Sequence, residues 1–284
     1  MRRARTIRRC GTDAGFTVVE FMVAVAIGMI VSMVIGQIFV GSRQSFSSQE
    51  DSARMQEATR NASLILTRTI RMAGYRNNPA LDSATVFPKA TAAVIQGTNN
   101  DTVSGLPTQT ASYTIPTGSS PAVLPDSITV RYQGSGSGTA ADGSVVNCMG
   151  TGIDFGITAV NTFAIRPVTK SDGTLSSSLF CSTDSGATWP AANELIPDVD
   201  NMQILYGIDT DSDGAANAFV RINDVTDVDA IVSVRIWLLL RSPTPTFPTV
   251  QPATYSLAGV NYSYSDRFSR RIMYTTVNLR NRTL

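Results

Sequence analysis

Between Phe21 and Val40 the chain has no charged residue, and nearly every side chain is apolar. As a helix that run would be about 30 Å long, the thickness of a bilayer's hydrocarbon core. A water-soluble fold can hide such a stretch only by burying it on all sides, so the run dictates either a membrane or the centre of something larger. The flanks choose between them. Arg2, Arg3, Arg5, Arg8 and Arg9, against Asp13, give the first 15 residues a charge of +4 and leave the remainder at −3. Cations immediately before a span hold that end in the cytoplasm and send the following chain across. A cleavable secretory signal fits less well. Ala24, Val25 and Ala26 match an A-x-A site, but cutting there would leave Ile27 to Val40 as an apolar terminus and put Glu20 inside the apolar region.

Glu20 is the residue that does not suit an ordinary anchor. A charge at a membrane helix costs roughly 3 kcal/mol unless a cation meets it. The next cation in the chain is Arg43, about six helical turns away. The partner is therefore a chain terminus or another subunit, unless the carboxylate merely reaches the interface.

Gly15, Phe16, Thr17, Val18, Val19 and Glu20 follow the short basic leader and open the apolar run. In this combination the chain resembles the type IV prepilins and pseudopilins. The resemblance implies cleavage by a prepilin peptidase between Gly15 and Phe16, N-methylation of Phe16, and pairing of Glu20 with a neighbouring subunit's terminal amine. Ala24, Gly28, Ser32 and Gly36 recur every four residues and so share one helix face, where small side chains let backbones approach closely in lipid. Many major pilins have a proline in this segment; here none occurs before Pro79, which leaves Gly36 as the place for local melting.

From Gly41 to Arg76 the spacing of Phe46, Ala53, Ala58, Ala62, Ile65, Ile70 and Ala73 predicts an amphipathic continuation of the same helix, stopped by Gly74, Asn77, Asn78 and Pro79. Beyond it the chain turns rich in Thr, Ser, Gly and Val. Ile128, Val130 and Tyr132 alternate with polar residues, as do Met202, Ile204, Tyr206 and Ile208. Val228, Ala230, Val232, Val234, Ile236, Leu238 and Leu240 fall on one face of a predicted strand, with Arg235 and Arg241 on the other. The expected organisation is a leader (1–15), a membrane or filament-core helix (16–40), its amphipathic half (41–76) and a β-rich extracytoplasmic domain (77–284). This is an α+β, type IV pilin-like fold, with a long N-terminal helix packed on antiparallel sheet.

Leu66 to Tyr75, Leu205 to Gly214, Ile231 to Pro243 and Arg270 to Arg282 sharpen the resemblance to the PilW branch of the minor pilins. That branch implies a low-abundance pilin that helps initiate type IV pilus assembly and joins the tip complex, supporting twitching motility. Its implied partners are other minor pilins and the major pilin, the prepilin peptidase, the inner-membrane assembly platform and a tip adhesin. The implied location is the inner membrane as a precursor and the pilus after assembly. A type II secretion pseudopilin of the J kind shares the leader, helix and β-rich body, and a tip adhesin or DNA-uptake module is the alternative from another class.

Composition narrows the chemistry. There is no histidine, which removes the commonest general base and most zinc and haem sites, and no nucleophile stands beside a base, so no enzyme activity is expected. Cys10 lies in the leader, leaving Cys148 and Cys181 either to pair outside the cytoplasm or to remain two buried thiols. Asp209, Asp211, Asp213 and Gly214 read D-x-D-x-D-G, with Asn217 at the ninth position; this opens a Ca²⁺ loop, but Val220 stands where an EF-hand has its bidentate glutamate. An acidic β-turn is the other reading. Arg270, Arg271, Arg280 and Arg282 mark a basic C-terminal strand, read first as a solvated face; nucleic acid is disfavoured because the body is faintly acidic.

Overall fold

The computed structural model describes residues 15, 17–77, 93–100, 124–137, 140–184 and 189–281. The leader arginines, Cys10, Phe16, Pro79 and Arg282 lie outside them. The chain divides into two compact units at Gln49 and Glu50. A single helix, α1 (Val18–Arg71), runs through that division without a break.

In the first unit every residue from Val18 to Val40 is exposed, and the helix is long and apolar enough to cross a membrane by length and composition. In the second unit the same helix acquires a buried stripe of Asp51, Met55, Ala62, Leu66, Thr69 and Ile70. The expected stripe is corrected at its start, since Ala53 and Phe46 are exposed. Asp51 takes an inward place because it accepts a hydrogen bond from Thr244 Oγ1 at 2.8 Å. The helix also stops at Arg71 rather than Arg76. Met72 and Ala73 donate to the carbonyls of Thr69 and Ile70, tightening the last turn, and Gly74 follows at φ +74°, which glycine adopts without steric cost.

Among the described residues of the second unit, two larger antiparallel sheets and two short strand pairs accompany the helix. The first contains β1 (Ile95–Thr98), β2 (Ser127–Gln133), β5 (Thr158–Thr169), β6 (Leu175–Ser182) and β7 (Glu194–Ile196), in that order across the sheet; the short pair β3 (Gly136–Ser137) and β4 (Ala140–Ala141) stands apart. The second is ordered β13 (Arg270–Asn278), β10 (Ile231–Arg241), β8 (Val199–Ile208), β9 (Ala218–Val220), and β11 (Gln251–Leu257) pairs with β12 (Val260–Asp266) as a hairpin. Ala62, Leu66 and Ile70 join Ile128, Val130, Phe163, Met202, Ile204, Val234, Ile236 and Leu238 in one core. The predicted alternations in β2 and β8 are thus the inward faces of the two sheets.

The strand predicted from Val228 begins three residues later. Val228–Ala230 is a 3₁₀ turn capped by Asp227, whose carboxylate accepts from Asp229 N at 2.9 Å, and a register shift falls between Ile231 and Ser233. The outer face of β10 is not simply polar either. Leu239 packs with Leu257, Tyr262 and Tyr264 in a second small core under the β11–β12 hairpin, and Arg241 is buried.

Candidate functional site

At the head of α1, Glu20 is engaged within its own chain. Its Oε2 accepts from Thr17 N and Thr17 Oγ1, both at 3.1 Å, while Glu20 N donates to Thr17 Oγ1 at 3.3 Å. With Thr17 as the residue before the first helical position and Glu20 three places on, this is a capping box: each side chain satisfies an N–H that the helix start would leave orphaned. The T-x-x-E spacing of Thr17 and Glu20 is the sequence signal for such a box. Cap and carboxylate also lie at the positive end of the helix dipole, which favours an anion there.

Ala24, Gly28, Ser32 and Gly36 are all exposed along α1. A side chain added at Gly28 or Gly36 would meet nothing within 4 Å, so no packing among the described residues requires glycine at these two places. Gly15 is exposed as well.

The D-x-D-x-D-G segment is the loop joining β8 to β9, and it brings the carboxylates of Asp209, Asp211 and Asp213 within 4.8 Å of one another. Much of their capacity goes to the loop's own backbone. Asp209 Oδ1 accepts from Asp211 N (3.2 Å) and Ser212 N (2.7 Å), its Oδ2 accepts from Gly214 N (2.8 Å), and Asp213 Oδ1 accepts from Ala215 N (2.8 Å). Burial would raise the Asp209 carboxyl, but these N–H donors outweigh it and hold it below the ordinary carboxylate value. Asn217 Oδ1 accepts from Thr210 N at 2.7 Å, and its amide Nδ2 donates to Asp211 Oδ2 at 3.2 Å. The three aspartates form an all-oxygen donor set of the kind a hard cation takes; Asn217 braces the loop beside them.

Cys148 and Cys181 are disulfide-bonded, tying the loop before β5 to β6. In the chain-entropy picture a closure of this length stabilises by about 3–4 kcal/mol. The largest electrostatic feature escaped the sequence reading. Arg270, expected on a solvated face, has a buried side chain that holds Asp266 through two bonds at 2.9 and 2.5 Å and Asp200 at 2.7 Å. Arg241 approaches Asp200 at 3.7 Å and Asp198 at 3.3 Å, and Lys170 reaches Asp198 at 2.8 Å. Burial alone would lower the Arg270 guanidinium's pKa, but Asp266 and Asp200 raise it above its ordinary value. Arg270 also lies 3.8 Å over the Tyr264 ring. Three cations and three carboxylates therefore close the end of the sheet beside the hairpin. No local signal in the sequence pairs residues 170, 198, 241 and 270.

A family model described as Type IV Pilus-assembly protein W matches residues 162–281, somewhat less than half of the chain. Among curated proteins nothing matches. Among solved structures, a type IV-like pilin from Thermus thermophilus is similar at a TM-score of 0.43 and 11% identity, with 81% of this chain and 99% of that one covered. Over residues 162–281, from within β5 to beyond the end of β13, this chain carries the pattern of the Type IV Pilus-assembly protein W family.

Proposed function

We propose that this chain is a minor pilin, inserted through α1 into a complex with other pilins and helping to initiate type IV pilus assembly at the tip. The observation that carries the reading is the exposed apolar length of α1, headed by the Thr17–Glu20 cap and continuous with the helix half that enters the body's core. A span of that kind needs lipid or other helices around it. In this reading a peptidase cuts between Gly15 and Phe16, Phe16 is methylated, and Glu20 exchanges part of its cap for the terminal amine of a neighbour. The face of Ala24, Gly28, Ser32 and Gly36 accepts that neighbour's helix. The assembly platform handles the chain in the inner membrane, and filament function, including twitching and adhesion, follows from the completed tip.

Intact mass and N-terminal sequencing of the protein from membranes and from sheared filaments tests this directly. The expected terminus is N-methylated Phe16 in both fractions. An uncut chain, or an Ile27 terminus, overturns it. Recovery only with secretion-system components would favour a type II pseudopilin, which shares the same helix chemistry.

A second reading concerns the Asp209, Asp211 and Asp213 loop, whose converging carboxylates favour Ca²⁺. Calorimetric titration of the chelator-treated chain with CaCl₂ should show one site, lost in Asp211→Asn. No heat above that of the variant would leave an acidic turn.

A further inference from the structure

The body half of α1 presents a cationic flank. Arg60, Leu64, Arg68 and Arg71 are spaced by three or four residues and so lie along one side of the helix. Facing them is the loop that includes Val145, held in place by a hydrogen bond from the Tyr132 hydroxyl to Val146 O at 2.8 Å and by the nearby Cys148–Cys181 bridge. Between helix and loop runs a groove of about 610 Å³, a size typical of ligand and peptide sites.

Among the described residues no ion pair answers its charges. Arg60, Arg68 and Arg71 are exposed and make no ion pair among the described residues, whereas Arg54, further up the helix, pairs with Glu50 at 2.6 Å. From Ala58 to Arg76 the sequence contains no acid, so Arg68 and Arg71 have no acidic neighbour three or four places away on the helix, and Glu57, three places before Arg60, makes no ion pair among the described residues. The same flank leaves Leu64 60% exposed, and Val145 and Met72 continue the apolar lining.

The geometry points to this groove as the docking site for an acidic segment of another protein, one that lays an apolar side chain beside Leu64 and sets carboxylates against Arg60, Arg68 and Arg71. Charge complementarity decides the class of partner. Guanidinium groups match carboxylates bidentately, and the apolar lining rewards a peptide side chain more than a phosphate backbone. The aromatic residue at the groove, Tyr132, is fully buried with its hydroxyl engaged, so it offers no face on which a base could stack. The inference stands on the body alone and holds whether or not the filament reading does.

Fluorescence anisotropy on the full chain in neutral detergent tests it. The probe is a labelled short peptide of glutamates interrupted by leucines. Its controls are the same peptide with lysine for glutamate, an all-glutamate peptide and single-stranded DNA of equal charge. The glutamate–leucine peptide should bind saturably and weaken with salt. Combined Arg60→Glu, Arg68→Glu and Arg71→Glu substitution should reduce affinity at least about tenfold, and Leu64→Ser should reduce it more modestly. These side chains are exposed, so the variants should keep the parent's thermal unfolding. Equal binding of the lysine peptide, retention of affinity in the triple variant, or DNA or all-glutamate binding as tight as the probe would each overturn the proposal. The unaltered chain alone decides the first and last of these outcomes.

Discussion

Helix α1 is one hydrogen-bonded element built on two opposite principles. From Val18 to Val40 its side chains are almost all apolar and exposed among the described residues; from Glu50 to Arg71 its surface is largely polar, yet Ala62, Leu66 and Ile70 are fully buried. The backbone is satisfied in both halves by its own i→i−4 bonds, so backbone chemistry does not distinguish them. The distinction is where the partner of each side chain comes from. The body half is stabilised by its own sheets, and the first half awaits lipid or another helix.

Four experiments press on that contrast. The largest effect is expected in the body, at Arg270→Ala, which removes the guanidinium that Asp200 and Asp266 share and leaves Asp200 its longer contact with Arg241 at 3.7 Å. The loss should be about 3–5 kcal/mol, read as a shift in the denaturant midpoint of the full chain in detergent. A loss below 1 kcal/mol, by this order-of-magnitude reckoning, would mean the carboxylates rehydrate freely. Next is a matched pair on the helix itself. Ile70→Ala should cost about 2–5 kcal/mol, while Ile30→Ala should leave the same transition within about 0.5 kcal/mol. Equal effects would erase the difference between the halves.

Smaller is the loss of the cap. Thr17→Ala should cost about 1 kcal/mol locally, seen as roughly fivefold faster amide exchange over the first turn of α1, with no change in the body. Unchanged exchange would show that Glu20 holds the helix start without Thr17. The smallest effect is in the acid limb. Burial would raise the Asp266 carboxyl, but the bonds from Arg270 outweigh it and hold it below the ordinary carboxylate value. Its stabilisation is therefore present above about pH 4 and fades as the pH falls below that. The stability–pH curve of Asp266→Asn should be flatter below pH 4 than the parent's, and identical slopes would remove Asp266 from the network.

The long helix and the inward faces of β2 and β8 were legible because each is written in a local period; parity left Cys148 and Cys181 either to pair or to remain thiols, and the structure joins them. Residues two apart share a strand face and residues three or four apart share a helix flank, whatever surrounds them. The start of β10 was misplaced because Val228 and Ala230 continue the alternation by type, while Asp227 caps a turn that ends it. Alternation reports which side a residue would face, not whether the strand has begun. Arg270 reads as a solvated cation for a related reason: solvent is the default place for an arginine on a strand, and nothing nearby in sequence announces Asp200.

By itself, then, the sequence determined a capped apolar helix too long and too bare to be closed within this chain, and a β-rich body to follow it, because hydrophobic periodicity and capping are contacts between residues a few places apart. Only the tertiary structure decided that both faces of β10 are covered, that six charges meet beside the hairpin, and that three arginines line a groove without an ion pair among the described residues. Those outcomes depend on which distant strands lie side by side, and Coulomb energy and desolvation follow distance in space rather than separation along the chain.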